Sequence, residues 1–206
     1  MKKVFLSFIF GLALPCAVSA QRHEITDGNI RSLQVTADQK WQELPITILN
    51  TGKISIDFDD LTHTYRRMTY RLEHCEADWQ PSKGLFDSDV AEGFLSGNTI
   101  DDVKESTLTN TLYTHYHLEI PNSKCRPRLS GNYRLSVYDD NFTDQPLLTA
   151  CFMLTEPAEH SMGVRLAITT QTDRTINARH QQVDMQIDYG NYTVSNPQRQ
   201  IRTVVM

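Results

Sequence analysis

Basic residues are in the minority: 20 Lys and Arg stand against 25 Asp and Glu, a net charge of −5 with histidine neutral. They are scattered, so there is no stripe for a polyanion and no nucleic-acid partner is expected. Cysteine is scarce, with 4 in 206 residues, so a hydrophobic core and not a disulfide scaffold must carry the fold. Tryptophan occurs only at Trp41 and Trp79, which leaves little for an aromatic sugar-binding platform. There is no Gly-rich phosphate loop, no nucleophile elbow and no carboxylate run with calcium spacing. No cofactor and no small-molecule substrate are therefore expected. Beyond residue 20 no stretch is apolar enough to cross a bilayer, so no direct membrane insertion is expected.

The first twenty residues differ from the rest. Lys2 and Lys3 make a basic start, Val4 to Leu14 is almost wholly apolar, and Val18-Ser19-Ala20 offers small residues to a signal peptidase. This reads as a secretory signal peptide over 1–20, cleaved between Ala20 and Gln21. Cys16 invites comparison with lipoprotein signals, but Pro15 stands where Gly, Ala or Ser is wanted. Removing Lys2 and Lys3 leaves 18 basic against 25 acidic residues, net −7, and three cysteines: Cys75, Cys125 and Cys151. The mature protein is expected beyond the inner membrane.

Period two dominates what remains. Ile54, Ile56 and Phe58 alternate with polar neighbours, as do Met68, Tyr70 and Leu72, then Tyr133, Leu135 and Val137, then Leu148, Ala150, Phe152 and Leu154. Such alternation marks half-buried antiparallel strands. It predicts strands near 30–36, 44–49, 53–58, 65–75, 111–120, 132–138 and 147–155, separated by turns such as Asn50-Thr51-Gly52, Asp59-Asp60 and Asp139-Asp140-Asn141. Seven short strands over residues 21–155 predict an all-β fold, an antiparallel β-sandwich of immunoglobulin or fibronectin type. The connection 76–110 is unusually long, which favours a functional loop; a short helix near Ser88 to Phe94 or an extra edge strand fits within it. Residues 156–162 read as a linker. The pattern resumes at Val164, Leu166 and Ile168, at Val183, Met185 and Ile187, and at Ile201 to Met206. Three strands are too few to close a core, so 163–206 is expected to be the incomplete opening of a second β-domain.

The segment His74-Cys75-Glu76-Ala77-Asp78-Trp79 concentrates reactive side chains. A thiolate nucleophile needs a base on its own side, but adjacent strand residues face opposite ways. His74 continues the face of Met68, Tyr70 and Leu72, and Cys75 the other. No second cysteine stands at zinc spacing. The segment is read as a strand end and a corner, with Trp79 capping the core and Asp78 bonded to loop amides. His115, His117 and Glu119 share one strand face and two histidines at that spacing can hold a metal; the face of Leu112, Thr114, Tyr116, Leu118 and Ile120 is the apolar one. With the histidines outward, they are read as wet or partner-facing, and no metal is expected. Cys75 and Cys151 fall two strands apart, about 9–10 Å, beyond the ~7 Å Cα reach of a disulfide. Cys125, in the loop 122–130, is within reach of either. Asn141-Phe142-Thr143 and Asn191-Tyr192-Thr193 match the N-glycosylation pattern but carry little weight behind a bacterial-looking leader.

The words YRLEHCEADWQPS at 70–82, EGF at 92–94, YTHYHLEIPN at 113–122, SGNYRLSVYDD at 130–140, RHQQVDMQID at 179–188 and NPQRQIRTVV at 196–205 occur in this order. They resemble the type IX secretion system plug protein family over roughly residues 30–206. In that family chains are about twice as long. The resemblance implies no catalysis: such proteins sit on the periplasmic side of the outer membrane and occlude the opening of a very large translocon β-barrel. It makes His74, Cys75, Asp78, Trp79, Asn122, Gly131 and Tyr133 motif residues with structural roles. The 76–110 loop and His115, Tyr116 and His117 become candidate contacts with the barrel. A general adhesion or glycan-binding module, and a metal-dependent hydrolase built on His115 and His117, are the competing readings.

Overall fold

The computed structural model describes residues 23–142, 144–169 and 181–203. Along the chain run β1 (Glu24–Ile25), β2 (Ile30–Ala37), β3 (Ile46–Ile48), β4 (Ile54–Asp60), β5 (Met68–Cys75), a one-turn helix α1 (Asp87–Val90), β6 (Ala91–Gly93), β7 (Ser96–Thr99), β8 (Asp102–Glu105), β9 (Thr114–Ile120), β10 (Cys125–Pro127), β11 (Gly131–Asp139) and β12 (Leu148–Thr155). A 3-10 turn at Ala158–His160, β13 (Gly163–Thr169), β14 (Gln182–Asp188) and α2 (Pro197–Gln200) follow. The seven strands expected from alternation form, within a few residues at each end.

Two sheets face each other. One has the order β2-β4-β9-β8; the other has the order β7-β5-β11-β12-β1, with β3 lying parallel on the far end of β12. This is the A-B-E-D against C′-C-F-G arrangement of an immunoglobulin-type sandwich. The alternating apolar residues meet between them: Ile54, Ile56, Phe58, Tyr116 and Ile120 from one sheet are 0% exposed, as are Met68, Tyr133, Leu135, Val137 and Phe152 from the other. Each buried large side chain stabilises the fold by roughly 1.5–3 kcal/mol relative to exposure. Phe58 stacks on Tyr116 with ring centroids 5.2 Å apart, and Tyr133 stacks on Phe152 at 5.6 Å.

The 76–110 connection is not a bare loop. It supplies α1, then β6 paired to β10, then β7 on the edge of one sheet and β8 on the edge of the other. Of the two alternatives expected there, both occur: the helix, which stops at Val90, and not one edge strand but two, β7 and β8. At Gly93 the backbone has φ +95° and a Cβ would fall 2.1 Å from the Lys124 carbonyl oxygen, so the chain turns there only without a side chain.

Residues 156–162 hold only the 3-10 turn. Beyond them β13 and β14 pair as a ribbon in which Val164 opposes Ile187, Leu166 opposes Met185 and Ile168 opposes Val183. One ribbon face is thus apolar, with Leu166 and Ile168 60% and 66% exposed. The strand expected over 201–206 is not formed over 201–203; 204–206 lie outside the described residues. So do the leader 1–20 and its cleavage point between Ala20 and Gln21. No helix among the described residues is long and apolar enough to cross a membrane.

Candidate functional site

The corner after β5 is a closed hydrogen-bond circuit. Trp79 N donates to the Glu76 carbonyl at 3.0 Å and Glu76 N to that of Gln80 at 2.8 Å. Gln80 N donates to Asp78 Oδ1 at 3.2 Å, the loop-amide role expected of Asp78. Asn132 Nδ2 ties the corner to β11 through the Glu76 carbonyl. His74 is held at both nitrogens: Nε2 lies 3.1 Å from the Ser130 carbonyl oxygen, so it donates there, and Nδ1 accepts from Ser82 Oγ at 2.8 Å. Its ring meets the edge of Tyr133 at 5.2 Å. A Cβ on Gly131, at φ +141°, would stand 2.4 Å from His74 Nε2, which makes glycine the residue that admits the imidazole.

Trp79 does not cap the main core. Its backbone has φ +63°, which throws the indole onto the outer face of the larger sheet. There it covers Cys75 and Cys151, with Met153 alongside, as a small separate cluster. Cys75 faces away from the core as alternation requires, yet is 2% exposed under the indole. Burial pushes its thiol up to about 11 despite the nearby Arg134, so it carries little thiolate at neutral pH. Cys125 does not approach either partner cysteine. It sits at 0% exposure in the main core, on the opposite side of the sheet.

Asn122 and Tyr133 are also structural. Asn122 Oδ1 accepts from Lys124 N and Cys125 N, each at 2.9 Å, and Nδ2 donates to the Glu119 carbonyl. Tyr133, near the start of β11, donates its hydroxyl to the Leu129 carbonyl at 2.7 Å. This is the tyrosine corner of immunoglobulin-type sandwiches, and its position in the strand pattern was available in the sequence.

His115 and His117 do face outward, but not into water alone. Asp59 lies opposite His115 and Asp57 opposite His117 across β4 and β9, with Nδ1–carboxylate distances of 2.8 and 2.7 Å. His115 Nε2 is also 3.5 Å from Asp57 Oδ1. Among the described residues no three such side chains converge in a way that could hold a metal ion. Tyr116 needs correction as a partner contact: it is 0% exposed, and its hydroxyl donates to the Arg66 carbonyl at 2.9 Å. Leu112 precedes β9, escapes its pleat and is 48% exposed.

Sequence reading missed the most demanding polar cluster. Asp60 and Asp139, taken as turn residues, end β4 and β11 and are 0% and 4% exposed. Arg66 bridges them, Nη1 to Asp60 Oδ2 at 3.2 Å and Nε to Asp139 Oδ2 at 2.9 Å. Burial alone raises the Asp139 carboxyl, but the Asn141 amide and Arg66 outweigh it and hold it below the usual range. The signal was a doubled aspartate at the end of two strands with an arginine just ahead of a third.

Three comparisons bear on this geometry. Residues 30–156 match the family described as type 9 secretion system plug protein, 1st domain. The crystal structure of a hypothetical protein from Parabacteroides merdae is similar at 34% identity and a TM-score of 0.77, over 88% of this chain and 45% of that one. The chain thus spans less than half the length of that protein. No curated protein matches.

Proposed function

The chain belongs to the type 9 secretion system plug protein family through that family's first domain, and from this we propose that it is a non-catalytic envelope component of type IX secretion. In this reading it is exported by its signal peptide and lies in the periplasm, peripheral to the outer membrane. There it binds and occludes the periplasmic opening of the translocon β-barrel. The family match over residues 30–156 is the observation that carries the reading.

The side chains that first suggested chemistry support it by being committed elsewhere. His74 is bonded at both nitrogens, Cys75 is buried beneath Trp79, and His115 and His117 are paired with Asp59 and Asp57. The barrel-facing surface is assigned to the 76–110 segment and the outer face of β9. The motive is the length of the segment and the two aromatic side chains it presents to solvent, Phe86 and Phe94, 76% and 73% exposed. The β13–β14 ribbon is assigned as the opening of a second β-domain, whose remaining strands would cover its apolar face.

Double substitution Phe86→Ser/Phe94→Ser tests the surface. Reduced co-purification of the barrel with unchanged circular dichroism and urea midpoint supports it. Recovery equal to wild type removes that segment from the interface, and the same comparison with His117→Ala decides the β9 face.

A further inference from the structure

The outer face of the larger sheet carries a hollow of about 490 Å3 that the family reading does not use. Its floor is set by register: Arg71 on β5 lies opposite Ser136 on β11, which lies opposite Thr149 on β12, which lies opposite Glu24 on β1. The Trp79 corner closes one end and Tyr138 lines the other. The charges are unequally engaged. Glu73 accepts from both Nε and Nη2 of Arg134, at 3.1 and 2.9 Å, and so is neutralised. Arg71 lies over the Tyr138 ring, 5.9 Å from its centroid. Among the described residues it makes no ion pair with a carboxylate. A guanidinium over an aromatic ring at that distance keeps its edge donors free for a carboxylate. Beside it the half-buried Thr149 offers a hydroxyl suited to a peptide amide, while Ser136, 4% exposed, lies in the floor between them.

The geometry points to this hollow as a docking site for an acidic peptide segment, a carboxylate meeting Arg71 and the adjoining main chain lying over Ser136 and Thr149. A peptide fits better than a sugar acid because the aromatic rings are poorly placed for stacking: Arg71 stands over the half-buried Tyr138 ring, and Trp79 is only 6% exposed. Glu24, three strands from Arg71, directs the acid toward the arginine end by repulsion.

The test is an amide NMR titration of the whole chain with the tripeptide Ac-Gly-Glu-Gly-NH2, set against Ac-Gly-Gln-Gly-NH2. The glutamate peptide should shift the amides of Arg71, Ser136 and Thr149 with a Kd on the order of millimolar. The glutamine peptide should bind about tenfold more weakly, as loss of a charge-assisted contact predicts. Arg71→Gln, at an exposed position, should keep the dispersed spectrum and lose the same factor. Equal response to both peptides, undiminished binding by Arg71→Gln, or no shift at these amides would overturn the proposal. Stronger binding of glucuronate than of the glutamate peptide would overturn the peptide assignment.

Discussion

Arg66 shows how one side chain holds three strand ends. Replacing it by methionine keeps the aliphatic stem but leaves Asp60 and Asp139 buried without their cation. The expected loss is about 3–5 kcal/mol, the usual cost of breaking one side of a buried pair, read from urea midpoints at pH 7. The pH dependence has a definite sign. The Asp139 carboxyl lies below its ordinary value in the folded wild type. Its stabilisation is therefore present above the unfolded value near 4, and is lost as pH falls through the still lower folded value. In Arg66→Met the carboxylate loses its cation, so the deficit relative to wild type should narrow as pH falls toward 4. Trp79→Ala removes the cover of Cys75 and Cys151 and should cost about 3 kcal/mol. Native Cys75 should react slowly with iodoacetamide at pH 8, and quickly once Trp79 is removed; fast labelling of the wild type would contradict the raised thiol. These roles were only partly legible. Alternation put Cys75 on the outer face correctly, but nothing in the local sequence announces that Trp79 turns through a positive φ to lie over it. Asp60 and Asp139 read as turns because aspartate is common in turns; their burial depends on an arginine in the connection just ahead of β5.

At the scale of elements, strands with a clean period of two were readable and the rest were not. The patterns around Phe58, Leu72, Leu135 and Phe152 fix both the strand and its inward face. The strands β7, Ser-Gly-Asn-Thr, and β8, Asp-Val-Lys-Glu, carry no such pattern. They form because β5 and β9 offer unpaired edges, a tertiary cause that local propensity does not contain. The expected strand over 44–49 shrinks to Ile46–Ile48 because it pairs at one edge only, in parallel with β12. The β13–β14 ribbon is the converse: its pattern is plain, yet its apolar face is exposed. A two-stranded ribbon is marginal by itself. Hydrogen exchange should therefore be fast at Leu166 and Met185 and slowest in β11, which is paired on both sides. Protection of the ribbon equal to that of β11 would contradict its lack of cover.

Across the whole molecule, an acidic β-sandwich spends its motif residues on corners and turns. Four of the family words found in the sequence supply joints of the sandwich: the Trp79 corner, the Gly93 turn, the Asn122 loop and the Tyr133 corner. Gly131→Ala illustrates the difference. It should destabilise by pressing on His74, with a lower urea midpoint, while leaving the exposed 76–110 segment unchanged in chemistry. The partner is decided by affinity purification of the tagged chain from mildly solubilised outer membranes of its source bacterium, with the co-purifying proteins identified by mass spectrometry. A very large type IX translocon β-barrel should be recovered with the wild type, and less of it with Phe86→Ser/Phe94→Ser. Recovery of the folded chain without that barrel would sink the plug reading.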